Sequence, residues 1–117
     1  MRVLVVEDDD RVRPVLCDFL TELGYEADAV AGGVAALIAL QARPYALVVT
    51  DFFMPGMNGL ELIAHIREKS ATLPIILITG SEISLDAQAR DAGAVLLYKP
   101  IDLRTFADGV RRALAAS

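Results

Sequence analysis

Four acids stand in a row, Glu7, Asp8, Asp9 and Asp10, directly after the apolar run Val3 to Val6. Two carboxylates about 4 Å apart repel by roughly 4 kcal/mol at an effective dielectric near 20. One of such a pair tends to protonate unless a cation lies between them. The block is therefore either splayed into solvent or arranged to hold a cation. Three more residues with chemistry close apolar runs elsewhere: Asp51 after ALVVT, Thr79 after IILI and Lys99 after AVLLY. If these ends meet, they form an oxygen-rich, anionic set with one hydroxyl and one ammonium. Oxygen-only ligands of high charge suit a small hard cation such as Mg2+ or Mn2+, with waters completing its coordination.

The elements that must carry these residues repeat along the chain. VLVV (3–6), ALVV (46–49), PIILI (74–78) and AVLLY (94–98) are near-continuous apolar runs of strand length. Such runs suit strands buried on both faces of a parallel sheet. EADAV (26–30) is a weaker strand candidate, second in order. Between them lie segments of helical period. Val12, Val15, Leu16, Phe19, Leu20 and Leu23 form one stripe, with Pro14 in the first turn and Gly24 as the stop. A second helix is expected over 34–42, ending before Arg43-Pro44. A third is expected from Asn58 to Glu68, capped by Asn58, with Leu60, Ile63 and Ile66 inward. Residues 86–92 make a short fourth, closed by Gly93. Asp102 caps a fifth, along which Phe106, Val110 and Leu114 step by four. Five alternations with right-handed crossovers give an α/β doubly wound parallel sheet. Ligands of such sheets bind beyond the carboxyl ends of the strands, where the chemistry-bearing residues stand.

The bulk composition narrows the function. A chain of 117 residues has room for one domain and one sizeable core. A net charge of −5 lacks the basic footprint of a nucleic-acid binder and argues against an anionic membrane surface. The single cysteine, Cys17, excludes an internal disulfide and fits a reducing compartment. No apolar run approaches the ~20 residues of a membrane span, and the start MRVLVVEDDD does not read as a secretory signal. A cytoplasmic location is expected.

With these residues in place, the sequence resembles a response-regulator receiver domain of two-component signal transduction over essentially its whole length. The resemblance implies a flavodoxin-like (βα)5 sheet of strand order 2-1-3-4-5, with residues 1–117 as one receiver domain and no output domain. It implies a metal site for Mg2+ or Mn2+ at Glu7, Asp8, Asp51 and the backbone carbonyl of Phe53. It assigns Asp51 as phosphoacceptor, Thr79 as switch hydroxyl and Lys99 as phosphate contact. The implied partners are a sensor histidine kinase or histidine phosphotransfer domain and a downstream effector protein, with no direct binding to nucleic acid or membrane. The first helix's exposed side, including Arg11, Pro14 and Asp18, is the docking face by the same resemblance. Such a domain is a switch that catalyses only its own phosphoryl transfer and slow dephosphorylation.

Two departures from the family pattern concern signal output. Leu96 stands where receivers often carry a switch aromatic, while Tyr98 lies beside Lys99, and Gly80 follows Thr79 where Ala is common. Phe53 and Ser81, two positions after Asp51 and Thr79, flank the phosphate by resemblance; a bulky Phe53 would restrict attacking water and slow hydrolysis. The plainer readings concern the remaining candidates. Asp9 and Asp10 read as residues favouring a helix N-terminus, His65 as a solvated face residue, Cys17 as packing and Gly32-Gly33 as a turn. An aspartyl-nucleophile phosphatase needs a second acid two residues after the first, and position 53 is Phe. An unphosphorylated receiver-like scaffold would leave the complete set of Asp8, Asp51, Thr79 and Lys99 without a purpose.

Overall fold

A computed structural model describes residues 1–80 and 84–116. Strand and helix alternate through β1 (Arg2–Val6), α1 (Val12–Glu22), β2 (Glu26–Val30), α2 (Gly33–Ala42) and β3 (Leu47–Asp51). They continue through α3 (Gly59–Lys69), β4 (Ile75–Thr79), α4 (Asp86–Asp91), β5 (Val95–Tyr98) and α5 (Leu103–Ala115). The five strands form one parallel sheet in the order β2-β1-β3-β4-β5. The order reverses between β1 and β3, so their carboxyl ends flank the crevice where such folds place ligands.

Alternation along each strand sends successive side chains into two separate cores. Val3, Val5, Val49, Ile76 and Ile78 face α1 and α5, where Leu16, Leu20, Phe106 and Val110 meet them. Leu4, Val6, Val48, Ile75 and Leu77 face the other way, toward Ala36, Leu62, Ile63, Ile66 and Ala89. All five residues of β3 and of β4 are buried, which explains why those runs lack alternation in sequence. β2 is the edge strand beside β1 and only half-buried, so its sequence signal is weak.

The expected elements are all present, with shifts at particular residues. α2 starts at Gly33, where an added Cβ would lie 2.6 Å from the Met57 sulfur, so the loop after β3 rests directly on this helix. In α1 the stripe is narrower than periodicity predicts: Leu16 and Leu20 are buried but Val15 is 44% exposed. In α3 the inward set is Leu62, Ile63 and Ile66, with Leu60 only partly covered. Asn58 caps that helix in a reciprocal box: its side chain accepts from the Glu61 N–H, and the Glu61 carboxylate accepts from the Asn58 N–H. Asp102 accepts from the Thr105 N–H at the start of α5. Gly24 and Gly93 close α1 and α4 at φ of +91° and +70°, a region that suits glycine.

Candidate functional site

Four of the five strands each deliver one polar residue to the same rim. Glu7 follows β1, Asp51 ends β3, Thr79 ends β4 and Lys99 follows β5. Register fixes their heights, with Val6 opposite Thr50, Asp51 opposite Ile78 and Thr79 opposite Tyr98. The Lys99 Nζ lies 3.0 Å from Asp51 Oδ1 and 3.8 Å from Glu7 Oε1. Glu7, Asp8 and Asp51 each present a carboxylate oxygen within 4.8 Å of the others. The splayed-or-gathered question about the acidic block therefore divides within it. Glu7 and Asp8 gather with Asp51. Asp9 instead accepts from the Arg11 N–H at 2.8 Å, and Asp10 pairs with Arg13 at 2.6 Å. Both turn toward α1, as expected for residues at a helix start.

The pocket gathers carboxylates around the Lys99 ammonium, and burial governs how the acids titrate. Burial pushes the Glu7 carboxyl up to about 7, assisted by the Asp51 charge and opposed by the Asp9 N–H and by Lys99. Burial also raises Asp51, with Lys99 working against it. For Lys99 burial alone would favour the neutral amine. The hydrogen bond and charge of Asp51, then the charge of Glu7, outweigh that and hold the ammonium above its usual range. Burial thus sets the direction for the two acids, and the neighbouring carboxylates set it for Lys99.

Two buried oxygens lack a hydrogen-bond partner among the described residues, Glu7 Oε1 and Thr79 Oγ1. An orphaned buried carboxylate oxygen is costly unless a further group completes it. The donor set is all oxygen, anionic, and flanked by the exposed Asp8, so it could hold a metal ion and fits a hard divalent one.

Three contacts around the pocket were not read from the sequence. Arg13 donates to the Glu7 carbonyl at 2.9 Å and fastens the loop between β1 and α1. Gly59 lets α3 approach β3: an added Cβ would lie 2.5 Å from the Asp51 carbonyl oxygen, and the Gly59 N–H donates to the Phe52 carbonyl at 2.8 Å. Tyr98 donates to Asp86 at 3.3 Å. The Asn58-Gly59 pair after the Met54-Pro55-Gly56 turn is a visible signal for the second; the other two depend on tertiary approach alone.

Phe53 sits in the connection after β3, 56% exposed, its ring edge-on to Phe52 at 4.9 Å. Leu96 stands on β5 opposite Leu77, partly buried against the core under α4. The His65 side chain is 52% exposed and 3.5 Å from Glu68. Ser81 lies outside the described residues.

A model of the response regulator receiver domain matches residues 3–111. The chain belongs to that family. The receiver is 38% identical over 113 residues to response regulator protein FleR of Pseudomonas aeruginosa, covering 95% of this chain and 24% of that protein. It is 35% identical to transcriptional regulatory protein TctD of Salmonella typhimurium, covering the whole chain and 53% of that protein. It thus spans about a quarter to a half of these relatives. Against response regulator receiver protein CpdR of Brucella abortus it is 34% identical, covering 99% and 98% of the two chains. Among solved structures, the chemotaxis protein CheY4 of Vibrio cholerae superposes with a TM-score of 0.88 at 29% identity, covering 97% of this chain and 98% of that one. Response regulator TrrA of Thermotoga maritima, solved in complex with Mg2+-BeF, superposes at 0.87 with 34% identity and the same coverage. No helix among the receiver's described residues is long and apolar enough to cross a membrane.

Proposed function

We propose that Asp51 accepts a phosphoryl group from a histidine kinase or histidine phosphotransfer domain and that the acyl phosphate switches the domain toward a downstream effector. The observation that supports this best is the contact of Lys99 Nζ with Asp51 Oδ1 at 3.0 Å inside the carboxylate group. Glu7, Asp8, Asp51 and the Phe53 carbonyl would hold Mg2+ or Mn2+, which when bound neutralises charge on the transferring group.

The chain's own residues do the rest. A carboxylate oxygen of Asp51 attacks phosphorus; the new P–O bond forms as the P–N bond to the donor imidazole breaks, and the electron pair leaves on that nitrogen. Lys99 neutralises charge on one side of the pocket and holds Asp51 in line. The product adds roughly −1.5 to −2 charges and new acceptor oxygens. Thr79, whose hydroxyl is buried and unpartnered among the described residues, can donate to one of them. A local charge change thereby biases a two-state element.

The phosphodonor docks, in this reading, on α1 beside the pocket. A groove of about 710 Å³ runs there between Val12, Val15 and Phe19 on α1 and Lys99, Pro100 and Ile101 after β5. Arg11, Pro14 and Asp18 extend that side of the helix. Its partners are proteins, since a domain of net charge −5 offers nucleic acid no basic footprint. We read residues 1–117 as one receiver domain acting in the cytoplasm as a switch, not as an enzyme with external turnover. Incubation with acetyl phosphate and Mg2+ tests the reading. Intact mass should show one phosphoryl group on the domain, and an unchanged mass would refute the assignment.

A further inference from the structure

Tyr98 can do something that Leu96 lacks the chemistry for. Two residues apart on β5, they point to the same face of the sheet. Leu96 has no polar atom and packs against the cluster of Leu77, Leu85 and Ala89. Tyr98 stands opposite Thr79 in register. The next residue, Lys99, donates its backbone N–H to the Thr79 carbonyl at 2.8 Å. The Tyr98 hydroxyl reaches Asp86 Oδ2 at 3.3 Å, the same oxygen that accepts from Ser84 Oγ at 3.2 Å. Asp86 is the first residue of α4. One phenol therefore spans from the position paired with Thr79 to the start of a helix.

That helix is held unequally at its two ends. The half-buried guanidinium of Arg67 donates to the carbonyls of Ala92 at 2.7 Å and Gly93 at 3.2 Å, just past α4. It also donates to Ser70 at 3.1 Å and Leu73 at 2.8 Å, just past α3. Four bonds from one planar group lock the two carboxyl ends together. At the amino end, the side-chain bonds to Asp86 come from two exposed hydroxyls at the long limit of hydrogen-bond distance. In side-chain hydrogen bonds the carboxyl end is thus held more firmly than the first turn, whose preceding Leu85 is anchored in the core.

We propose that Tyr98 is the positioning residue that couples Thr79 to α4. Its bond to Asp86 holds the first turn of α4 in the resting arrangement and is given up when Thr79 turns toward an acceptor on Asp51. The inference rests on the reading of Asp51 as phosphoacceptor. A displacement of Thr79 reaches β5 directly through the Lys99 N–H, and a 3.3 Å contact breaks with a shift of a few tenths of an ångström. Because the bond stabilises the resting state, its loss must favour the activated one by the same amount.

The test uses the full chain with beryllofluoride and Mg2+ as the probe. Tyr98→Phe should bind beryllofluoride about 2- to 5-fold more tightly than the wild type, the worth of one modest hydrogen bond. Asp86→Asn should do likewise, and the double variant should be no tighter than the tighter single variant. Before any ligand is added, the amide NMR signals of residues 86–91 in Tyr98→Phe should already lie displaced toward their beryllofluoride-bound positions. Equal affinity of wild type and Tyr98→Phe, additive gains in the double variant, or unmoved amides would each overturn the coupling. A parallel incubation with acetyl phosphate separates the two layers. Uptake by the wild type with no change in affinity sinks the coupling alone, whereas no uptake removes the phosphoacceptor reading and the coupling with it.

Discussion

Two acidic clusters on this sheet show opposite ways of treating a carboxylate. On β2, Asp28 accepts from Arg2 at 2.7 Å, from Tyr45 at 2.7 Å and from Arg43 at 3.3 Å. The Tyr45 hydroxyl first, and the two guanidiniums after it, hold this carboxyl below its usual range despite partial burial. At the carboxyl rim, Glu7 and Asp51 are more deeply buried, yet they share one ammonium and leave Glu7 Oε1 without a hydrogen-bond partner among the described residues. There burial wins and both acids are raised. A carboxylate with its partners built in is a structural joint. One left short of positive charge is an opening for a ligand, and perturbed titration concentrates at such places.

The contrast is broken most severely at Lys99. Replacing it with alanine should slow phosphoryl uptake from acetyl phosphate by about 100-fold, since it removes the single ammonium from the transferring group's surroundings. Divalent-ion binding should be kept or strengthened in that variant, as the pocket becomes more anionic; isothermal titration with Mg2+ checks this.

The next test sets the two clusters against each other. Asp28→Asn should cost about 1 kcal/mol of stability in urea unfolding, because it weakens charge-assisted bonds. Glu7→Gln should be neutral or stabilising without metal at pH 8, because it relieves a buried charge, while sharply reducing the stabilisation that Mg2+ confers. Equal losses at both sites would erase the distinction.

The pH dependence follows from the same pocket. A carboxyl raised from 4.5 to about 7 in the folded state binds its proton more tightly there than in the unfolded chain. Stability from Glu7 is therefore present below about 4.5 and lost as pH rises toward 7, on the order of 3 kcal/mol in the metal-free domain. Protons compete with the cation, so the rise in thermal midpoint on adding Mg2+ should be larger at pH 8 than at pH 5.5. A smaller rise at pH 8 would contradict the assignment. The mildest effect concerns Phe53, an exposed ring two residues after Asp51. The wild-type acyl phosphate should persist well beyond seconds with Mg2+ present, and Phe53→Ala should hydrolyse a few-fold faster when followed by phosphate release.

Much of this was legible in the chain because burial on both faces leaves an unbroken apolar run, and a polar residue ending such a run stands out. β1, β3, β4 and β5, and with them Glu7, Asp51, Thr79 and Lys99, are visible on that ground. β2 is faint because an edge strand needs only partial cover. Helical period placed Val15 and Leu60 inward, since spacing marks a stripe without saying where the neighbouring element stops covering it; Val15 instead lines the groove beside Lys99. Arg13 and the Tyr98–Asp86 bond were hidden because each acts on a partner brought near only by the fold. The separation of Glu7 and Asp8 from Asp9 and Asp10 was legible too, because residues just ahead of α1 favour a helix start and do so in the structure.

A titration of the isotope-labelled domain with Mn2+, followed by paramagnetic broadening of its amide signals, reaches the central claim most directly. Broadening should begin at residues 7–8 and 51–53 and spread next to Lys99, with the signals around Asp28 and Tyr45 untouched at the same metal concentration. Broadening centred on Asp28, or none near Asp51, would show that the gathered carboxylates do not take a cation.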